Sequence, residues 1–448
     1  MHKQTIKNLS ICIATVSLLG QYFISSTTVY AAENQINSLN LKVEQILDFG
    51  RDKEKAKEWA DTYFKDWKKT INNEQKKLLN DIKRLTQLNE KIGKFDQNSE
   101  MFSKKDKEDI DKIDKALNNK NAKLTKSLNV YKNLNGKDLG YVEGYFNVPN
   151  SPNKIDRTKY NKLVNEFKYG AINTFMNTDL TQDTTNKSTP ILLSLKLPKG
   201  TKIGQLNEEH IITDRNLGIE IKKTSIIVEK GREVIKLEGD VVPKTKIQEK
   251  VKKAESDLNQ KFKEITGLKQ NLLSLKIDNL YTSASIDRTE TVIKQLVSNV
   301  PNNLLLNIMK NMNNKTLFTI TDKILIPGKE GVLGYYDTIS KTLFIQIDHL
   351  GHKNNEGNDT NTLLHEFGHA VDHLAKGEIQ SKSSKFIEIF NRERGNITIE
   401  PYIKQDAAEF FAGVFNYLYS PKISDREQIQ KEAPDACKFI RNLIHGLH

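Results

Sequence analysis

At 448 residues the chain is long enough for two or three domains and too long for one core to serve comfortably. Its net charge of +12 favours acidic surfaces, but the lysines are interleaved with Asp and Glu in stretches such as "RDKEKAKEWADTYFKDWKK". That is the pattern of solvated helix faces, and it argues against specific nucleic-acid binding.

The first segment has the form of an export signal. Lys3 and Lys7 precede an apolar run from Leu9 to Gly20, and Val29 and Ala31 stand at the small-residue spacing of a cleavage site, so a signal peptide over 1–31 is expected. The apolar run is short of a full span and nothing later has membrane-spanning length, so no integral membrane association is expected after its removal. Cys12 leaves with that segment and Cys437 is then alone, which excludes a disulfide framework and leaves stability to cores of ordinary size.

From Asp48 to Ile92 the pattern is helical, with Trp59, Tyr63 and Trp67 at four-residue steps and Leu78, Ile82 and Leu85 three or four apart. Ile110, Ile113 and Leu117 predict a further helix. In "TPILLSLKLPKG" Leu193, Leu195 and Leu197 alternate with Ser194 and Lys196 before a turn, the strongest strand signal in the chain. "TSIIVEKGREVIKLEG" predicts a strand pair reversing at Gly231. This helix-rich start and strand-rich middle predict one α+β domain over 43–242. The lysine-rich string "KTKIQEKVKKAESDLNQKFKEITGLKQNLLSLK" is helical in period, and a connecting helical segment is placed at 243–269, with a second domain over 270–448.

In the second domain "GYYDTISKTLFIQID" predicts two extended pieces, with Leu343, Ile345 and Ile347 facing one way. Asn358, Asp359 or Thr360 is expected to cap the next helix and Gly377 to end it. That helix carries "LLHEFGHAVDH". Its His365 and His369, one turn apart, share a face and can direct ring nitrogens at one ion, while Glu366 can reach a water on that ion as a general base. A tetrahedral zinc site with an open position needs a third protein ligand. His373 is unsuited, lying about 12 Å along the axis from His365. Glu388 stands nineteen positions after His369, the approximate spacing of thermolysin-like enzymes, but Arg392 occupies the place of their supporting acid. Glu409 sits in "YIKQDAAEFFAGVFNYLY", beside Phe410, Phe411, Val414 and Phe415, where a buried carboxylate is costly unless paired or bound to a cation.

"LLHEFGHAVDHL" followed by "YIKQDAAEFFAGVFNYLYS" resembles the anthrax lethal factor-like metalloprotease family, which also includes secreted endopeptidases that cleave between prolines. The resemblance covers roughly 278–448. It implies one catalytic Zn2+ held by His365, His369 and Glu409, with Glu366 activating water and Tyr402 hydrogen-bonding the developing oxyanion. Gly413 is a departure, since lethal factor carries an acidic residue one turn beyond the ligand glutamate. "GYYDTISKTLFIQ" resembles the edge strand beside that family's cleft, which pairs with extended peptides.

The first domain resembles the ADP-ribosyltransferase domain of binary toxins of the vegetative insecticidal type, through "KAKEWADTYFKDW", "LTKSLNVYKNL", "FMNTDL" and "PILLSLKLPKGTK". The catalytic elements have departed together. Lys132 replaces an arginine, Asn177–Thr178–Asp179 replaces Ser-Thr-Ser, and Lys223 and Ser225 replace the Glu-x-Glu pair. The fold class implied is two-domain α+β, an ADP-ribosyltransferase-like mixed domain followed by a mainly helical zincin metalloprotease domain with a small sheet. The function implied is a secreted zinc endopeptidase of toxin type acting on protein or peptide substrates. Its first domain would be a catalytically dead scaffold or a module that binds a toxin delivery component or a host protein. The alternatives are a non-enzymatic toxin binding protein and an ADP-ribosyltransferase.

Overall fold

The computed structural model describes residues 45–95, 99–183, 189–312, 316–329, 331–347 and 358–447, and the signal segment lies outside them. The chain enters through β1 (Ile46–Leu47) and then forms α1 (Lys53–Tyr63), α2 (Lys65–Thr70), α3 (Asn73–Asn80), α4 (Ile82–Lys94) and α5 (Lys104–Leu117). Side chains of Asp52, Asn72, Asp81 and Ser103 accept backbone amides at the starts of α1, α3, α4 and α5, satisfying donors that a helix leaves free. Trp67 is buried, while Trp59 and Tyr63 stack on each other at 4.7 Å, so the four-residue aromatic series is divided between core and rim.

The strands follow: β2 (Ser127–Leu134), the hairpin β3 (Asn147–Val148) and β4 (Ser151–Ile155), then α6 (Arg157–Glu166), β5 (Tyr169–Ile172), β6 (Met176–Asp179), β7 (Ile191–Leu197), β8 (Ile203–Gln205), β9 (His210–Thr213), β10 (Leu217–Glu229) and β11 (Arg232–Pro243). Among the described residues nine strands make one sheet, ordered β5-β10-β11-β7-β2-β6-β9-β8, with β1 parallel beside β2. The expected hairpin is β10–β11, and both loop residues, Lys230 at φ 49° and Gly231 at φ 76°, take the left-handed conformation that a two-residue reversal requires.

Next come α7 (Lys244–Thr266), β12 (Leu273–Lys276), α8 (Thr282–Asn299), α9 (Asn302–Asn311), β13 (Phe318–Thr321), β14 (Gly334–Asp337) and β15 (Thr342–Gln346). The chain closes with α10 (Asn358–Leu374), α11 (Ser384–Glu393), α12 (Ala407–Leu418), α13 (Ile423–Glu432) and α14 (Pro434–His445). The small sheet runs β12-β13-β15-β14, parallel except for the edge strand β14. Leu343, Ile345 and Ile347 are buried on one face as expected. The helical string read through "LLSLK" is too long. Gly267 at φ 74° closes α7 at Thr266, and Leu273 and Leu275 alternate inward from a strand. The architecture is two-domain α+β, a mixed domain followed by a mainly helical one with a small sheet. One large apolar cluster extends from Ala56 to Val241 and another from Val251 to Leu447.

The two clusters are joined through backbone and side chains. Ala171 N–H donates to Asn279 O at 2.7 Å, and a Cβ placed on Gly170 would stand 1.7 Å from Leu280 O, so only glycine permits this approach. Ile324 N–H donates to Lys94 O at 3.0 Å and Lys323 Nζ to Gly93 O at 3.0 Å. Glu220 of β10 is buried and meets Lys222 at 2.9 Å, with Lys246 and Lys250 of α7 at 3.0 and 3.3 Å. Burial pushes its carboxyl up, but the lysines outweigh this and hold it down to about 2. A depressed carboxyl contributes stability that is present above its ordinary value and is lost as pH falls through the folded one. Glu220→Gln is therefore expected to lower the urea midpoint at neutral pH by the equivalent of about 2–3 kcal/mol. The gap from wild type should narrow between about pH 5 and 2, and a gap independent of pH would exclude this account.

Candidate metal centre

Helix α10 buries Leu363, Leu364, Phe367, Ala370, Val371 and Leu374, which leaves His365 and Glu366 toward a cleft, with the His369 ring 4.9 Å from that of His365. The capping residues named for this helix have side chains outside the described set. Gly377, at φ 76°, lies in the turn after the helix. Helix α12 crosses α10 at very short range, since a Cβ on Gly368 would come within 2.8 Å of Ala412 Cα. Asp406 caps α12 by accepting from Ala408 N–H at 2.8 Å and Glu409 N–H at 2.9 Å, which fixes Glu409 in the first turn.

These two helices bring three ligating groups together. Glu409 Oε2 lies 3.0 Å from His365 Nε2 and 3.7 Å from His369 Nε2, and one donor atom from each residue falls within 4.8 Å of the others. Among the described residues this is the group of His, Cys, Asp or Glu that could hold a metal ion. Burial pushes the Glu409 carboxyl up, but hydrogen bonds from both imidazoles outweigh it and hold the group well below the usual carboxylate range. A buried carboxylate kept anionic beside two imidazoles is a donor set suited to zinc. Glu388 is exposed on α11 and takes no part in the cluster, and His373 packs its ring edge-on to Tyr336 at 5.4 Å.

Glu366 is 9% exposed, and burial raises its pKa against the opposing pull of His365 and His369. It accepts a backbone hydrogen bond from Tyr336 on β14. Gly334 on the same strand passes so close that a Cβ there would lie 2.8 Å from Glu366 Cγ and 2.8 Å from Thr362 Cγ2. Tyr402 has its ring 6.1 Å from that of His365, and burial together with Glu409 pushes its phenol up to about 12. The space next to Gly413 is filled by Ile403, whose Cγ2 would be 2.2 Å from an added Cβ, so the departure there leaves no room for an acidic side chain.

His365, Glu366 and Tyr402 share a cleft of about 370 Å³ with Glu400, Asn416 and Tyr417. The sequence reading missed these last three and Gly334. Asn416 was the visible clue, a polar residue among apolar neighbours in "AGVFNYLY".

In the first domain, the partly buried Lys132 donates its ammonium to Asn177 O at 2.9 Å, and burial lowers its pKa. Asp179 pairs with His210 at 2.9 Å. Ser225 sits opposite Lys236 in the β10–β11 ladder, and Lys223 lies 3.7 Å from Glu238.

Two histidines one turn apart on a helix, a glutamate between them and a second glutamate from a crossing helix make a zincin-like metal site. Residues 335–443 match the family model described as anthrax toxin lethal factor, N- and C-terminal domain, and residues 56–244 match that of the ADP-ribosyltransferase exoenzymes. The chain thus carries an N-terminal ADP-ribosyltransferase-toxin-like domain and a C-terminal lethal-factor-like domain. It is 29% identical to lethal factor of Bacillus anthracis over 363 residues, 75% of this chain and 44% of that protein. It is 34% identical to the Pro-Pro endopeptidase of Clostridioides difficile over 89 residues, 20% of this chain and 40% of that protein. The chain therefore spans less than half the length of either relative. Plx2a, an ADP-ribosyltransferase toxin from Paenibacillus larvae, is 26% identical with a TM-score of 0.37, covering 44% of this chain and 99% of its own.

Proposed function

We propose that this chain is an exported zinc-dependent endopeptidase of toxin type, hydrolysing a protein or peptide substrate. The convergence of His365, His369 and Glu409 within 4.8 Å of one another, with His365 and Glu366 lining one cleft, carries this reading. The working division is 43–242 for the first domain, 243–269 for the connector and 270–448 for the hydrolase. No helix among the described residues is long and apolar enough to cross a membrane, which is compatible with export through the 1–31 signal.

His365, His369 and Glu409 would hold the ion. Zinc at such a site supplies Lewis-acid polarisation and lowers the pKa of water bound to it. Glu366, buried and held by the Tyr336 amide, takes the proton of the attacking water and passes it to the leaving amine. Tyr402 stays protonated across the working pH range and donates to the oxyanion of the substrate carbonyl. Purified protein is expected to hold one zinc per chain and to cut members of a peptide library. Absence of stoichiometric zinc after mild preparation would favour a non-enzymatic binding protein.

Gly334 has a positioning role in this reading, because a methyl group there displaces Glu366. Gly334→Ala should lower kcat about 10–100-fold with zinc content retained, the scale expected for a misplacement near 1 Å. Gly331→Ala, where an added Cβ meets nothing within 4 Å, is the comparison, and equal activity of the two variants would refute the role.

The first domain is proposed to be a binding module for a delivery component or host protein, without transfer activity. Lys132 and Asp179 are engaged by Asn177 and His210, and Ser225 offers no carboxylate to stabilise cationic ribose. Incubation with labelled NAD and cell lysate is expected to leave protein unlabelled. Labelling that is lost on changing Lys223 or Ser225 would restore the transferase reading.

A further inference from the structure

A second cavity lies along the same strand and helix that build the cleft. It holds about 650 Å³ and is lined by Tyr336, Thr338 and Lys341 of the β14–β15 hairpin and by His373 and Lys376 at the end of α10. Gly334 passes over Glu366, and Tyr336, two residues on, packs against His373, so the edge strand β14 and helix α10 run the same way from the cleft to this cavity. From His365 to His373 the helix advances about 12 Å. An extended peptide rises about 3.3 Å per residue, so one lying along β14 with its cut bond at Glu366 reaches the cavity three or four residues away.

Its lining carries cations and no balancing carboxylate. Asp337 is turned to its own hairpin, accepting from Ile339 N–H at 3.0 Å and Ser340 Oγ at 2.6 Å, and the buried Asp372 accepts from Ser381 N–H at 2.6 Å and Oγ at 2.7 Å. Among the described residues neither Lys341 nor Lys376 has a carboxylate within ion-pair distance. Lys376 is not spent on the end of α10 either, because Leu374 O accepts from Asn311 Nδ2 at 2.7 Å. A concave wall of one sign concentrates the opposite charge. Resting on the endopeptidase reading, we infer that this cavity is a recognition subsite for a carboxylate of the substrate, three or four residues from the cut bond, with Lys341 and Lys376 supplying the charge. An Asp or Glu side chain and a free chain end offer the same group. A cationic residue at that position is disfavoured by like charge.

Two arms test the inference. In the first, zinc-loaded wild-type protein is given peptides, capped at both ends, that differ only in Glu, Gln or Lys at each position around the cut bond. At one position three or four residues from the cut, kcat/KM should favour Glu over Gln by about 5–10-fold, the scale of charge-assisted hydrogen bonds discounted for solvent, with Lys lowest. Lys341→Glu and Lys376→Glu should each shrink that ratio, and the double variant should favour Lys. Lys65→Glu, an exposed site on α2 with the same change in net charge, should leave it unaltered. A preference seen only with an uncapped carboxyl terminus at that distance, and lost on amidation, assigns the carboxylate to the chain end. Hydrolysis with a Glu-to-Gln ratio near one at every position, capped or free, overturns the subsite while leaving the endopeptidase reading intact, as does a preference that survives the double variant. In the second arm, zinc-loaded Glu366→Gln protein is titrated with random-sequence peptide pools carrying Glu or Gln at one fixed position. Binding of the Glu pool should be at least about 5-fold tighter. Equal Kd values overturn the subsite even if no peptide is cleaved. Absence of cleavage by wild type, with Glu-selective binding retained, sinks the enzyme reading alone.

Discussion

Glu366→Gln should leave zinc content at the wild-type level and lower peptide hydrolysis by about 10³–10⁴-fold, the scale of losing a positioned general base. The amide fills the same volume, keeps an oxygen for the Tyr336 backbone amide and disturbs neither neighbouring histidine. What it lacks is a lone pair basic enough to take a proton from water. The residue is 9% exposed, so bulk water or buffer is poorly placed to substitute for it. The checks are metal analysis and single-turnover peptide cleavage on one preparation. A variant that retains more than a tenth of wild-type kcat would remove Glu366 from the proton path.

Glu409→Ala should fail at the earlier step. Its carboxylate lies 3.0 Å and 3.7 Å from the two imidazole nitrogens and is held anionic by them, so the truncation removes a ligand and the charge that balances the ion. Zinc affinity is expected to fall by at least about 10²-fold, the upper end of the loss caused by removing merely supporting partners. Activity should fall with it and return in part as zinc is added. The cap at Asp406 survives the change, so the start of α12 should remain folded. Equal zinc affinity in wild type and variant would return attention to Glu388, although that residue is exposed on α11.

Much of this arrangement was legible in the sequence because helical spacing is local information. His365, Glu366 and His369 fix their own relative positions, and a glutamate among phenylalanines advertises a buried charge. Alternation likewise exposed β7, β10, β11 and β15. The parts that escaped depend on approach between distant segments. Nothing local marks Gly334 as the residue on which the base rests, or separates it from a glycine in an open turn such as Gly331. Glu400, Asn416 and Tyr417 acquire meaning only where one cleft gathers them. The partner of Lys132, Asn177 O, is a backbone atom 45 positions away, which no local pattern marks. "LLSLK" was drawn into the preceding helix because its leucines suit either period over so few residues, and Gly267 decides the matter.

The backbone seam at Gly170 and Leu280 bears on how such a chain tolerates change over generations. Its amide-to-carbonyl part is indifferent to most side-chain substitutions, provided the glycine persists, while Ser283 and Lys323 add side-chain bonds to backbone carbonyls beside it. The first domain can therefore change many outward side chains without coming adrift from the second. Drift that would destroy an enzyme standing alone is here confined to the faces turned away from the seam, where it becomes raw material for new recognition.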